Sequence, residues 1–141
     1  MTRIYWDSMI FIYLIEGNPN FGERVRHFYE GMVRRGDALC TSTFTVGEVL
    51  TGPRKRNDMI ALRGLTEFFT SGEIEILPFD LEAANRYSII RATMRCTQAD
   101  GIHLAAAASA GVDIFLTNDG NLRKLSVPGI KFFADLEGKV T

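Results

Sequence analysis

The sequence is sparing with the groups that most often announce chemistry. Cysteine occurs only at Cys40 and Cys96, each in or beside an apolar segment and without CxxC spacing. That pattern argues against a metal or disulfide framework and reads as reduced packing thiols. Histidine occurs only at His27 and His103, and no nucleophile elbow is present, so the sequence offers no competing catalytic triad. There is no GxGxxG, and Gly52-Pro53-Arg54-Lys55 lacks the spacing of a phosphate-binding loop. Asp7 is followed by Ser8-Met9 without a second aspartate two places on, which disfavours an aspartyl-phosphate enzyme.

Long apolar runs are missing too. The N-terminal run from Met9 to Ile15 falls well short of the roughly 18 residues a membrane span needs, and no small-residue cleavage site follows it. A cytoplasmic location is the expectation. The net charge of −1 gives no bulk attraction for nucleic acid. Any such attraction must come from local clusters: Arg34-Arg35, Arg54-Lys55-Arg56, Arg123-Lys124, or Arg86, Arg91 and Arg95.

What is present fits one domain over residues 1–141, with no repeats, linkers or low-complexity stretches. A chain of this size, 46% hydrophobic, can bury a core without cross-links. Short apolar runs alternate with helical patterns. Strands are expected at Ile4–Trp6, Ala38–Ser42, Ile74–Leu77, Ile114–Leu116 and Ile130–Phe133. Helices are expected at Ser8–Glu16, Phe21–Arg35, Thr45–Leu50, Asp58–Phe69, from Asp80 or Leu81 to about Met94, and from Asp100 or Gly101 to Ala110. Gly36 and Gly111 mark two helix ends, and Gly52-Pro53 is read as stopping the third helix. Strands separated by helices specify an α/β fold, a parallel sheet with helices on both faces.

In such sheets ligand sites form beyond the carboxyl ends of the strands. This rule selects among the acids. Asp7 follows the first strand directly, and Asp119 comes just after the fourth. Glu48 lies about a turn into the helix after the second strand, and Asp100 opens a helix that leads into the fourth. All four reach the same edge. Each also has a structural reading: Asp7 and Asp100 as helix caps, Glu48 as a solvated helix residue, Asp119 as a turn residue. Carboxylates held together repel unless a cation joins them, and a hard divalent ion such as Mg²⁺ suits oxygen ligands. Asp113 belongs to the opposite edge, Asp80 reads as an N-cap, and Asp135 lies too far out. His103, one turn after Asp100, either approaches the metal or packs and hydrogen-bonds.

The segments Tyr5-Trp6-Asp7-Ser8, Thr43 through Pro53, Ala99-Asp100-Gly101-Ile102-His103-Leu104-Ala105 and Phe115-Leu116-Thr117-Asn118-Asp119 together resemble the PIN-domain family, and within it toxin ribonucleases of the VapC type. Each segment is short, but the four stand in the family's order and span nearly the whole chain. The resemblance implies a five-stranded parallel sheet in the order 3-2-1-4-5. It implies that Asp7, Glu48, Asp100 and Asp119 bind Mg²⁺ or Mn²⁺ and that Thr117 supports them. It further implies RNA as substrate, a small antitoxin as partner, and a homodimer. Two positions depart from many relatives: Met9 replaces a small polar residue, and Gly120-Asn121-Leu122 brings no further acid after Asp119. Neither removes a primary ligand, and both leave the number of metals open.

The activity expected is endonucleolytic hydrolysis of RNA by metal-activated water, and Arg54, Lys55 and Arg56, just beyond the Glu48 helix, are the expected phosphate contact. The apolar segment Met9–Ile15 exceeds a one-sided pattern, so it is either wholly buried or partly turned to a partner. Two other readings keep the fold. One is a PIN-domain nuclease of RNA processing without an antitoxin, which gene neighbourhood would reveal. The other is a catalytically silent RNA- or protein-binding module, which lacks chelator-sensitive turnover.

Overall fold

Ile4, Tyr5 and Trp6 are almost completely removed from solvent, because their strand, β1 (Arg3–Trp6), is central in a sheet covered on both faces. The computed structural model describes residues 1–141. Around β1 the chain lays down β2 (Ala38–Ser42), β3 (Glu75–Leu77), β4 (Ile114–Leu116) and β5 (Phe132–Ala134). All four strand pairings are parallel, in the order β3-β2-β1-β4-β5. The helices are α1 (Ser8–Ile15), α2 (Gly22–Arg35), α3 (Thr43–Lys55), α4 (Met59–Thr70), α5 (Leu81–Thr93) and α6 (Gln98–Ala110). None is long and apolar enough to cross a membrane.

The two-residue period of a strand divides the core. Ile4, Trp6 and Leu39 point to one face, where Phe11, Val25, Met32, Leu65 and Phe69 from α1, α2 and α4 cover them. Tyr5, Cys40, Phe115 and Phe133 point to the other, against Leu104 and the alanines of α6. Full burial of each large apolar side chain contributes about 1.5–3 kcal/mol. Small residues on α6 let it lie close to the sheet and to α5. At Gly101 an added Cβ would come within 2.9 Å of Arg91 Cδ and 3.0 Å of Tyr87 Cε2.

Polar side chains start the helices. Asp7, Ser42, Asp58, Asp80 and Thr97 each accept from a backbone N–H three residues on, which satisfies donors that a helix start leaves open. Gly36 and Gly111 close α2 and α6 in the left-handed conformation.

Three elements differ from the sequence reading by two residues or more. Helix α3 begins at Thr43 and passes through Gly52-Pro53 to Lys55. Pro53 removes one N–H, but it stands in the last turn, which the Arg56 N–H to Gly52 O and the Asp58 N–H to Pro53 O close. The Pro53 ring is buried, and that packing offsets the lost bond. Helix α6 starts at Gln98, because Thr97 and Asp100 form a reciprocal capping box and Asp100 stands inside the first turn. Strand β5 spans Phe132–Ala134, since its register is set by pairing Phe133 with Phe115 and Ala134 with Leu116. The apolar segment of α1 is not wholly buried. Ile10 and Phe11 are buried, while Met9, Leu14 and Ile15 are exposed.

Candidate active site

At the carboxyl edge of the sheet, Asp7, Glu48, Asp100 and Asp119 line one cavity of about 310 Å³, together with His103 and Thr117. Four separate pieces of chain deliver the acids. Asp7 ends β1 and caps α1, its Oδ1 accepting the Ile10 N–H at 3.3 Å. Glu48 extends from the second turn of α3. Asp100 lies in the first turn of α6, where the helix dipole favours an anion, and its Oδ2 accepts the Thr97 N–H. Asp119 follows β4 in a turn: its N–H donates to Thr117 Oγ1 at 3.1 Å, and its Oδ1 accepts the Asn121 N–H at 2.8 Å. Asp7 and Asp119 thus hold the structural roles read from sequence and line the cavity as well; Asp100 lines it from the third position of α6, with Thr97 as the cap.

Their environments differ. Asp7 is buried, and burial pushes its carboxyl above the usual range. The Thr117 hydroxyl, the charge of His103 and the Ile10 N–H partly offset this, while the charge of Asp100 adds to it. Burial also pushes on Glu48, but there the hydrogen bond and charge of His103 prevail, and its carboxyl lies below the usual range. A deeply placed acid and a paired acid therefore face the same space.

The sequence did not reveal what holds Glu48. His103 Nε2 lies 2.7 Å from Glu48 Oε1. On the far side of the ring, Nδ1 lies 2.7 Å from the Tyr5 hydroxyl and 3.3 Å from Thr45 Oγ1. Tyr5 is in turn 2.9 Å from Ser42 Oγ. The available signal was strand periodicity, which turns Tyr5 to the α6 face, combined with the placement of His103 three residues after Asp100.

Other groups stay apart. Arg54, Lys55 and Arg56 are exposed at the end of α3 and do not line the acidic cavity. Arg56 lies against a small cleft between α1 and α3 that Glu48 also borders. Asp113 is at the opposite edge, Asp80 caps α5, and Asp135 organises the turn after β5, accepting the Glu137 and Lys139 N–H groups. A larger cavity of about 690 Å³ lies between α2 and the C-terminal segment. Its acids, Asp37 and Glu137, are paired with Arg35 and Arg24, so it gathers no free carboxylates. Cys40 and Cys96 are free thiols.

No three of the histidine, cysteine or acidic side chains stand close enough to enclose an ion on their own. Zn²⁺, which takes three or four close protein ligands, fits such a rim poorly. A hard divalent ion that keeps several waters and uses a few carboxylates with substrate phosphate oxygens fits the donor set.

A three-layer fold with an acidic cavity at the carboxyl edge of a 3-2-1-4-5 sheet defines a class, and the comparisons give it a family. Residues 4–128 match the PIN domain model, so the chain belongs to the PIN-domain family. No curated protein matches the chain. Among solved structures, VapBC2 from Rickettsia felis, bound to a DNA fragment from its promoter, is similar with a TM-score of 0.75 at 14% identity, over 95% of this chain and 98% of that one. VapC20 from Mycobacterium tuberculosis, described as a sarcin-ricin loop cleaving toxin, gives 0.69 at 13% identity, over 84% and 91% of the two chains. FitAcB from Neisseria gonorrhoeae gives 0.64 at 23% identity, over 84% and 88%. At these identities the likeness is one of fold.

Proposed function

We propose that this protein is a metal-dependent endoribonuclease, the toxin of a VapBC-type toxin–antitoxin pair. The observation that carries the reading is the single cavity in which Asp7, Glu48, Asp100 and Asp119 meet within a PIN-family fold. Asp7, Glu48 and Asp100 would hold the principal Mg²⁺ or Mn²⁺ together with waters and substrate phosphate oxygens, and Asp119 a second ion or a water. A bound divalent ion supplies positive charge that polarises the phosphate and makes water a competent nucleophile at neutral pH.

The chain's own residues do the rest. Asp7 is fixed by its cap bond and by burial, Glu48 by His103, and Asp119 by its turn, so the carboxylates need little reorganisation when substrate arrives. In this reading water is the nucleophile, and the acids that line the cavity are the groups that would place it. In-line departure of the 3′ oxygen leaves 5′-phosphate and 3′-hydroxyl ends. Arg54, Lys55 and Arg56 would engage backbone phosphates further along the strand. Single-stranded or looped RNA suits this arrangement, because its bases can be splayed and read.

An antitoxin partner is supported by the toxin–antitoxin complexes among the similar folds. An inserted arginine or lysine would neutralise the acidic cavity and compete with metal. The exposed Met9, Leu14 and Ile15 on α1 offer an apolar surface for such a partner or for a second copy in a homodimer.

The test is cleavage of total cellular RNA by purified wild-type and Asp7→Asn protein with Mg²⁺, Mn²⁺ or EDTA. Discrete fragments that require both metal and Asp7 support the reading. A folded wild type that binds metal and cuts nothing points to a silent binding module instead.

A further inference from the structure

His103 is 4% exposed, and every polar atom of its ring is engaged. An ionised carboxylate can only accept, so the 2.7 Å contact with Glu48 Oε1 places a proton on Nε2. This holds whichever form the ring takes. In the neutral ring Nδ1 accepts the Tyr5 hydroxyl proton across 2.7 Å. In the imidazolium, Nδ1–H donates to the Tyr5 oxygen, and the phenol proton turns to Ser42 Oγ at 2.9 Å. Tyr5 is itself held: it is fully buried and stacks on Phe115 with ring centroids 4.9 Å apart at 17°. Phe44 packs on the other side of the imidazole, edge to face at 5.2 Å. The ring therefore has one orientation, set by β1, β2 and α3, and it reaches the cavity through one atom.

Glu48 lacks such constraint of its own. Its side chain is 31% exposed and has rotatable bonds that cost entropy to fix. Its short, buried partner is His103 at 2.7 Å, and the Ser8 hydroxyl adds a lesser contact.

We propose that His103 is a positioning residue, anchored on Tyr5, that grips Oε1 of Glu48 and so holds the carboxylate at the cavity that would take the metal and substrate. This rests on the functional reading above, in which Glu48 serves a divalent ion. The hydrogen bond spans α6 and α3, so the carboxylate is placed by a link between two elements and not by its own rotamer. A partner of this kind fixes a ligand and raises its basicity, and removing it typically weakens metal binding about 10- to 100-fold.

The test measures Mn²⁺ binding by electron paramagnetic resonance and the half-saturating Mn²⁺ for RNA cleavage. It compares wild-type protein with His103→Ala, His103→Gln, Tyr5→Phe and Glu48→Gln, with thermal melts of each in EDTA. His103→Ala is expected to weaken Mn²⁺ binding about tenfold or more and to raise the half-saturating concentration in parallel. His103→Gln, whose amide nitrogen reaches where Nε2 stood, should recover most of that loss. Tyr5→Phe keeps the ring packing but frees the imidazole, so it should give an intermediate loss, and it carries the test if His103→Ala does not fold. Wild-type affinity in a folded His103→Ala or Tyr5→Phe protein overturns the proposal. So does a folded His103→Gln no better than His103→Ala. A wild type that neither binds Mn²⁺ nor cleaves RNA overturns the functional reading itself, which is a separate result.

Discussion

The backbone N–H of Arg3 donates to Asp113 Oδ2 at 2.8 Å, pinning the start of β1 to the residue that precedes β4. Lys131 Nζ donates to the other oxygen at 2.7 Å. The site lies at the far edge of the sheet, so this contact serves only the fold.

Those bonds, first from the Arg3 N–H and then from Lys131, hold the Asp113 carboxyl below its ordinary range. A depressed folded-state value contributes stability that is present above the unfolded value and is lost as pH falls through the folded one. Asp113→Asn should therefore destabilise by about 1 kcal/mol near neutral pH, a modest figure because the group is partly solvated. Its deficit should shrink in acid. Denaturant melts of both proteins across the acid range check this, and a deficit that is constant with pH contradicts it.

Asp7→Asn keeps the cap of α1, since asparagine accepts the Ile10 N–H as well as aspartate does. It also removes a buried carboxylate next to Asp100. In EDTA the variant should melt no lower than wild type, while metal-dependent cleavage falls about 100-fold or more. A variant that unfolds under conditions where wild type is stable would show that Asp7 serves the fold more than the site.

Neutralising Arg54, Lys55 and Arg56 to alanine should reduce the slope of log affinity for single-stranded RNA against log salt by about 2 units. Cleavage at saturating substrate should be nearly unchanged, because none of the three lines the acidic cavity. Filter binding over a salt series makes the measurement. An unaltered slope removes these residues from the RNA path.

Burial pushes the Cys40 thiol up to about 12, so it presents almost no thiolate at neutral pH. Cys96 is raised too, by burial and then by Asp100, but it is only half-buried. Reaction of native protein with an aromatic disulfide reagent should label Cys96 slowly and Cys40 only on unfolding. Equal rates for both thiols in native protein would falsify the assignment of Cys40 to the core.

Gly129 has φ +103°, and a Cβ there would stand 2.6 Å from the Ala108 carbonyl oxygen. Backbone strain and a clash with an atom that cannot rotate away act together. Gly129→Ala should cost about 2–4 kcal/mol, read from the shift in denaturant midpoint. A change near zero would mean that the segment before β5 is free to move off α6.

Much of the fold was legible because it depends on local pattern. Short apolar runs, cap residues and terminal glycines located each strand and helix, and the rule about strand ends selected Asp7, Glu48, Asp100 and Asp119 over Asp113. The strand order came from the likeness to a family, since periodicity alone does not say which strands are neighbours. Two of the misread boundaries depend on distant partners, while the start of α6 rests on the local Thr97–Asp100 capping box. Gly52-Pro53 reads as a stop until burial of the proline ring is known, and the limits of β5 follow from its pairing with β4.

By itself, then, the sequence determined the elements, the two-faced burial of the sheet and the edge at which the acids gather, because caps, periodicity and turn chemistry act over a few residues. Only the tertiary structure decided what each acid experiences. Burial lifts Asp7, while His103, brought 55 positions along the chain to Glu48, steadies that carboxylate through Tyr5. Solvation and hydrogen bonding depend on what stands within a few ångströms in space, and in this chain those neighbours come from segments far apart in sequence.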